Sequence, residues 1–164
     1  EAWENSSVIA WEDSSVVARG NVQIVRYSDF AKLKIRGNAR IVTLPDTAEE
    51  YCDFYGIKIV DGKAIVYKAI RNDWKNFWDQ SFTYEVGKSY TANCDPNRDV
   101  QCSHGLHVSH MAWAIVFGRQ YRDFRIIECA VPLSKIVVPK NTDGKVRTSE
   151  LTVLREVPIE EWGL

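Results

Sequence analysis

The chain has no surplus of charge of either sign: 21 basic side chains stand against 22 acidic ones, a formal net charge of −1. A nucleic-acid binder normally carries a basic footprint that neutralises phosphates, so DNA or RNA binding is disfavoured. A small molecule or a protein is left as the expected partner. Long apolar runs are missing too. The longest, Met111 to Phe117, falls far short of the ~20 residues that cross a bilayer, so no membrane partner is expected. There is no Gly-rich phosphate loop or dinucleotide fingerprint, and nothing near Glu1 reads as a charged-then-apolar signal peptide. The first residue is not Met, which leads us to expect a removed start or a piece of a longer chain. Four cysteines, Cys52, Cys94, Cys102 and Cys129, are too few to scaffold a chain with this much core, and a cytoplasmic setting is expected.

What is present is an ordinary globular composition, 45% hydrophobic and 26% charged over 164 residues, enough for a domain with a structured extension. The first forty residues repeat in eights: Ala2-Trp-Glu-Asn-Ser-Ser-Val-Ile9, Ala10-Trp-Glu-Asp-Ser-Ser-Val-Val17, Ala18-Arg-Gly-Asn-Val-Gln-Ile-Val25, then more loosely to Ile41. A polar turn followed by a β-branched ending at fixed period predicts an N-terminal β-solenoid over residues 1–44, each unit supplying one strand that stacks on the next. Val8, Val16 and Ile24 are expected to face inward, and Trp3, Trp11, Arg19 and Tyr27 to form one outer column. The first copy has no cap, so earlier repeats are expected, and exposed ends predict self-association through the solenoid.

Pro45-Asp-Thr47 breaks the period and opens a second region, 45–164. Asp46 or Thr47 can cap a short helix through Glu49, Glu50 and Tyr51. Asp61-Gly62 between Ile57–Val60 and Ala64–Ile70 is a two-residue hairpin signal. Val108 to Phe117 reads as the main helix, capped by Ser109 and stopped by Gly118, with strands over Phe124–Val131, Ile136–Val138 and Val146–Val157. This order predicts a compact α+β domain with a mixed or antiparallel sheet and one main helix.

All three histidines lie within seven residues, His104, His107 and His110, just after Cys94 and Cys102. Cys94, Cys102, His104 and His107 are zinc-type ligands, although the cysteine gap is longer than in the usual knuckle. A Cys94–Cys102 disulfide is a second reading, a Cys102–His104 nucleophile pair a third. The plainest has two small buried thiols, with His107 on a strand opposite Leu106 and Val108.

The repeats resemble octapeptide arrays of ice-nucleation-type and phage-associated solenoids. Lys68-Ala-Ile-Arg71, Tyr84-Glu-Val-Gly-Lys88, Cys102-Ser-His-Gly-Leu-His-Val-Ser109 and Gly144-Lys-Val-Arg147 resemble an uncharacterised domain that follows solenoid or pentapeptide-type repeats in actinobacterial and phage proteins. That resemblance implies an architecture, and a phage particle as a second location. The layout is also similar, more distantly, to ADP-ribosyltransferase-like domains. This likeness implies that Arg71 grips a phosphate of NAD, that Ser109 and His107 line the nicotinamide pocket, and that Glu150 polarises the ribose hydroxyl, with Glu156 or Glu128 as substitutes. Thr148 stands two before Glu150 where such enzymes often carry Gln or Glu. Lys140, Lys145 and Arg147, around the Asp143-Gly144 turn, would join Arg71 in an anion site.

Two functions are expected on these grounds. One is an effector-like domain that binds NAD or another nucleotide-like small molecule and transfers ADP-ribose. The other is a non-catalytic phage or bacterial structural module in which the Cys/His stretch is a rigid loop, stapled by zinc or a disulfide.

Overall fold

The short strands of the repeats are too brief to fold alone, so how they pair decides the first region. The structure is a computed structural model that describes residues 1–3, 5–10, 12–26 and 30–163. It divides into two units, Glu1–Pro45 and Asp46–Leu164. In the first, β1 (Ser7–Ala10), β3 (Gln23–Arg26) and β5 (Arg40–Thr43) form one parallel sheet, while β2 (Ser15–Arg19) and β4 (Lys32–Arg36) form another. Ser7 lies opposite Gln23, Gln23 opposite Arg40, and Ser15 opposite Lys32.

The expected β-solenoid of stacked eight-residue units is therefore corrected. Among the described residues no strand pairs with the next along the chain; β1 pairs with β3, β3 with β5 and β2 with β4, in two separate small sheets that neither close nor curl. The reason is geometric. Strands in parallel register need a connection of about a dozen residues or more, and four turn residues only redirect the chain. Ala10, Ala18, Val22 and Ile24 are fully buried between these strands, Val16 is nearly so, and Val8 packs at the margin. The turns use left-handed backbone at Asn5, Glu12, Gly20 and Gly37. Gly37 is required: a Cβ there would sit 3.0 Å from the Gly20 nitrogen. Of the outer column, Arg19 stacks its guanidinium 4.5 Å from the Trp3 ring, whereas Trp11 and Tyr27 lie outside the described residues.

The second unit opens with α1 (Ala48–Phe54), where the Thr47 hydroxyl accepts from the Glu50 N–H and the Glu50 carboxylate reaches back to the Thr47 N–H. That capping box satisfies donors the helix start leaves open. β6 (Ile59–Val60) and β7 (Lys63–Arg71) form a hairpin whose turn holds Asp61 and Gly62 at φ of 49° and 73°. The rest are β8 (Ser89–Thr91), β9 (Leu106–Ser109), α2 (Met111–Gly118), β10 (Phe124–Pro132), β11 (Ile136–Val137), β12 (Lys145–Thr148) and β13 (Glu150–Val157).

These strands make one sheet in the order β11-β12-β9-β7-β10-β13-β8, with β6 beside β7, and every pairing is antiparallel. β7 and β10 pair along their whole lengths. Val66, Ile70, Ile127, Val131 and Val153 form one buried cluster, to which α1 adds Tyr51 and Cys52. Ala69, Ile126 and Val157 form a second with Ala114 and Ile115 of α2.

Two further expectations change. Strand accounts for 42% of the chain against two short helices, so the chain is chiefly β, with no dominant helix. Residues 106–109 also form β9, because their backbone joins the ladder of β12, where Arg147 faces His107 and Lys145 faces Ser109. The helix begins two residues beyond Ser109, capped by the His110 ring, whose Nδ1 accepts from the Trp113 N–H at 3.4 Å. No helix is long and apolar enough to cross a membrane, among the described residues.

Candidate functional site

β9 pairs with β12 along its length but meets β7 at one register pair, Tyr67 with Ser109. Beyond it the ladder stops, and the Lys68 ammonium stands in for the missing backbone bond by donating to the His107 carbonyl at 2.8 Å. A cavity of about 400 Å³ lies over this break. Its floor is Tyr67, Lys68, His107 and Ser109, Lys145 of β12 reaches in beside them, and Trp113 and Phe117 of α2 wall it.

The aromatic wall is ordered by ring contacts. Trp113 and Phe117 stack at 5.2 Å with 11° between planes, and Phe77 meets Phe117 edge-on at 5.7 Å. Asn76, Phe77 and Trp78, from the loop after β7, complete the rim. Such planar walls suit a flat, conjugated ligand.

The charge is one-sided: two lysines line the cavity and, among the described residues, no carboxylate does. Burial pushes the Lys68 ammonium down to about 8, and the neighbouring Lys145 charge adds to the effect. Burial first, then Lys68, Lys145 and Arg147, hold His107 down to about 4, so its imidazole is neutral at pH 7. Its Nε2 is buried and meets no hydrogen-bond partner. Lys145 lies 5.5 Å from the Trp113 ring centre and donates to the Cys102 sulfur at 2.6 Å.

The expected site residues divide. His107, Ser109 and Lys145 come together in the cavity, with Cys102 at its edge. Arg71 does not: it pairs with Asp73 at 3.1 Å and lines a separate shallow depression with Tyr121 and Arg122. Glu150 does not either: it opens β13 opposite Thr91, and its main chain is tied to the Thr148 hydroxyl. The substitute carboxylates are engaged, Glu156 with Arg125 at 2.7 Å and Glu128 with Nε and Nη2 of Arg155.

Arg147, expected to bind a cofactor, is fully buried, and its guanidinium donates to the carbonyls of Asn97, Val100 and Gln101. It is the pin of the Cys/His loop. Lys140 pairs with Asp99 at 2.6 Å.

Nor do the four zinc-type residues gather. Cys94 packs behind Gly105, where a Cβ would come within 3.1 Å of its sulfur; Cys102 is with Lys145, and His104 is exposed. Among the described residues no three of His, Cys, Asp or Glu are placed to share a metal. All four cysteines are free thiols, including Cys94 and Cys102.

Lys68, Trp113 and Phe117 carry no spacing or motif signal that marks them as site residues in the sequence. A usable signal existed: Lys68 is the one charge inside the apolar run Ala64-Ile-Val-Tyr-Lys-Ala-Ile70, and a lone charge in a central strand is costly unless it is used.

Residues 64–163 match a family described as Domain of unknown function (DUF7666). The match covers more than half of the chain and the whole cavity, and the chain belongs to that family. No curated protein and no solved structure matches.

Proposed function

We propose that this member of the family binds a small anionic molecule of nucleotide-like character in the cavity between β7, β9 and α2. One observation carries the reading: Lys68 and Lys145 converge there with no lining carboxylate among the described residues. Two like charges held together without a counter-ion repel, and an anion removes that cost. The flat walls offered by Trp113 and Phe117 favour a ring beside the anion, and a mononucleotide or the nicotinamide half of NAD has both parts.

Binding is as far as the proposal goes. ADP-ribose transfer would need Arg71 and Glu150 at the ligand, and neither lines the cavity.

Thermal unfolding in the presence of millimolar nicotinamide mononucleotide, AMP or NAD tests the reading. A ligand at a hundred times its Kd stabilises by about 2.7 kcal/mol, a rise of several degrees for a domain of this size. Lys145→Met should abolish that rise. No shift with any of the three, or a shift that survives Lys145→Met, would remove the proposal.

The structural-module reading keeps one supporting observation. Arg147 spends its guanidinium on three loop carbonyls, an arrangement that stiffens residues 97–101 whatever the cavity holds.

A further inference from the structure

We infer that Lys68 is an amine nucleophile, and that the cavity takes a small carbonyl compound carrying an anionic group, which condenses with the Lys68 Nζ to an imine. This rests on the proposal that the cavity binds an anionic, ring-bearing molecule, and it specifies the ligand's reactive group.

Four observations converge on Lys68. It lines the cavity. The Tyr84 ring lies 5.7 Å from its nitrogen, and the buried Cys129 is also close, so the surroundings are apolar. Among the described residues no carboxylate lines the cavity with it, and the other charged side chain that does is the like-signed Lys145, whose charge lowers its proton affinity while the Cys129 thiol opposes that. Its hydrogen bond runs to the His107 carbonyl, which a neutral amine N–H satisfies as well as an ammonium does. Burial and a neighbouring cation are the two devices that free a lysine lone pair near neutral pH, and the depressed affinity of Lys68 for its proton agrees.

Lys145 has the complementary role. It lies further out, against the Trp113 ring and the exposed Cys102, placed to pair with the ligand's carboxylate or phosphate while the carbonyl end reaches Lys68.

The step balances without an external oxidant or reductant. The Nζ lone pair bonds to the carbonyl carbon and the C=O π pair moves to oxygen. The proton lost by nitrogen is matched by one gained on oxygen, giving a carbinolamine. That hydroxyl takes up a proton and leaves as water while the nitrogen lone pair forms the C=N bond, and the second N–H proton is then released, so the net change is the loss of one water.

A carboxylated benzaldehyde, a planar aldehyde with one anionic group, is the probe, and benzaldehyde is its uncharged control. Sodium cyanoborohydride delivers hydride to an imine carbon and locks it as a secondary amine that peptide mapping locates. In the wild-type chain we expect one stoichiometric adduct, on Lys68. Lys145→Met should cut labelling by the carboxylated aldehyde about tenfold or more beyond its effect on benzaldehyde, the worth of a charge-assisted contact; benzaldehyde labelling should fall only as far as loss of the Lys145 charge returns a proton to Lys68. Lys68→Arg should lose the adduct, but the wild-type map decides the matter even if that variant does not fold.

Labelling spread over surface lysines, with Lys68 unmodified while the probe still raises the melting temperature, would overturn the imine and leave the binding proposal standing. No adduct and no thermal shift with the probe or with any of the three nucleotides would overturn both.

Discussion

Lys145 places its ammonium 2.6 Å from the sulfur of Cys102, across the edge of the cavity. The other three thiols lie in different surroundings. Burial pushes Cys52 up to about 11 and Cys129 up to about 12, and it raises Cys94 as well. Cys102 is the exposed one. One cysteine of four therefore combines access with an adjacent cation.

Alkylation of the native protein should consequently stop at one thiol per chain. Thiolates react and thiols do not, so iodoacetamide followed by peptide mapping should find Cys102 modified long before the others. Early labelling of Cys52 or Cys129 would contradict the burial described here.

Arg147 should be among the most costly positions to change. Its guanidinium bonds the carbonyls of Asn97, Val100 and Gln101 from a fully buried position, so Arg147→Met leaves three acceptors without a donor. We expect a loss of about 3 kcal/mol or more, read as a lower urea midpoint. Arg147→Lys should recover little, because a single ammonium cannot span three carbonyls.

Acid should weaken the fold through His107. Its folded form holds a proton only below about 4, whereas an unfolded histidine takes one near 6.5. Between those values the unfolded chain carries the extra proton, so stability falls as pH drops from about 6.5 toward 4, by up to about 3 kcal/mol. The charged groups facing the ring are Lys68 from β7 and Lys145 and Arg147 from β12, all cations, and none would relieve the protonated form. His110 is also lowered, chiefly by burial, and adds in the same direction. His107→Gln should flatten the acid limb of the urea midpoint plotted against pH; an unchanged limb would show that His107 is not its source.

Gly144→Ala should be destabilising for two reasons at once. The residue sits at φ 113°, and an added Cβ would lie 2.4 Å from Nε2 of His110. The His110 ring is held between its cap of α2 and a stack on Tyr55 at 4.5 Å, so it has little room to yield. A cost of about 2 kcal/mol or more is expected from overpacking and backbone strain together, with denaturant unfolding as the measure.

Local chemistry was legible along the chain wherever neighbours in sequence do the work. Asp61-Gly62 takes up the two left-handed positions of its hairpin turn, and Thr47 with Glu50 builds its capping box within a single turn of chain. The eight-residue period was equally plain, but its meaning was not. Whether a unit stacks on its neighbour or on the unit beyond depends on how far a parallel connection must travel, and that is a property of the paired strands. In the sequence Arg147 reads as an anion-binding charge beside the Asp143-Gly144 turn and Glu150 as a carboxylate for a ribose hydroxyl. The fold buries the first under a loop and ties the second beside Thr148.

The order of residues by itself determined the turns, the helix cap and the alternation that sets each strand's inner face, because these follow from interactions a few positions long. Only the tertiary structure decided that Lys68, His107, Trp113 and Lys145, spread over most of the second unit, would border one cavity. The physical cause is the single-pair contact of β7 with β9. Where that ladder stops, a lysine takes the place of a backbone donor, and a cavity lies over the break.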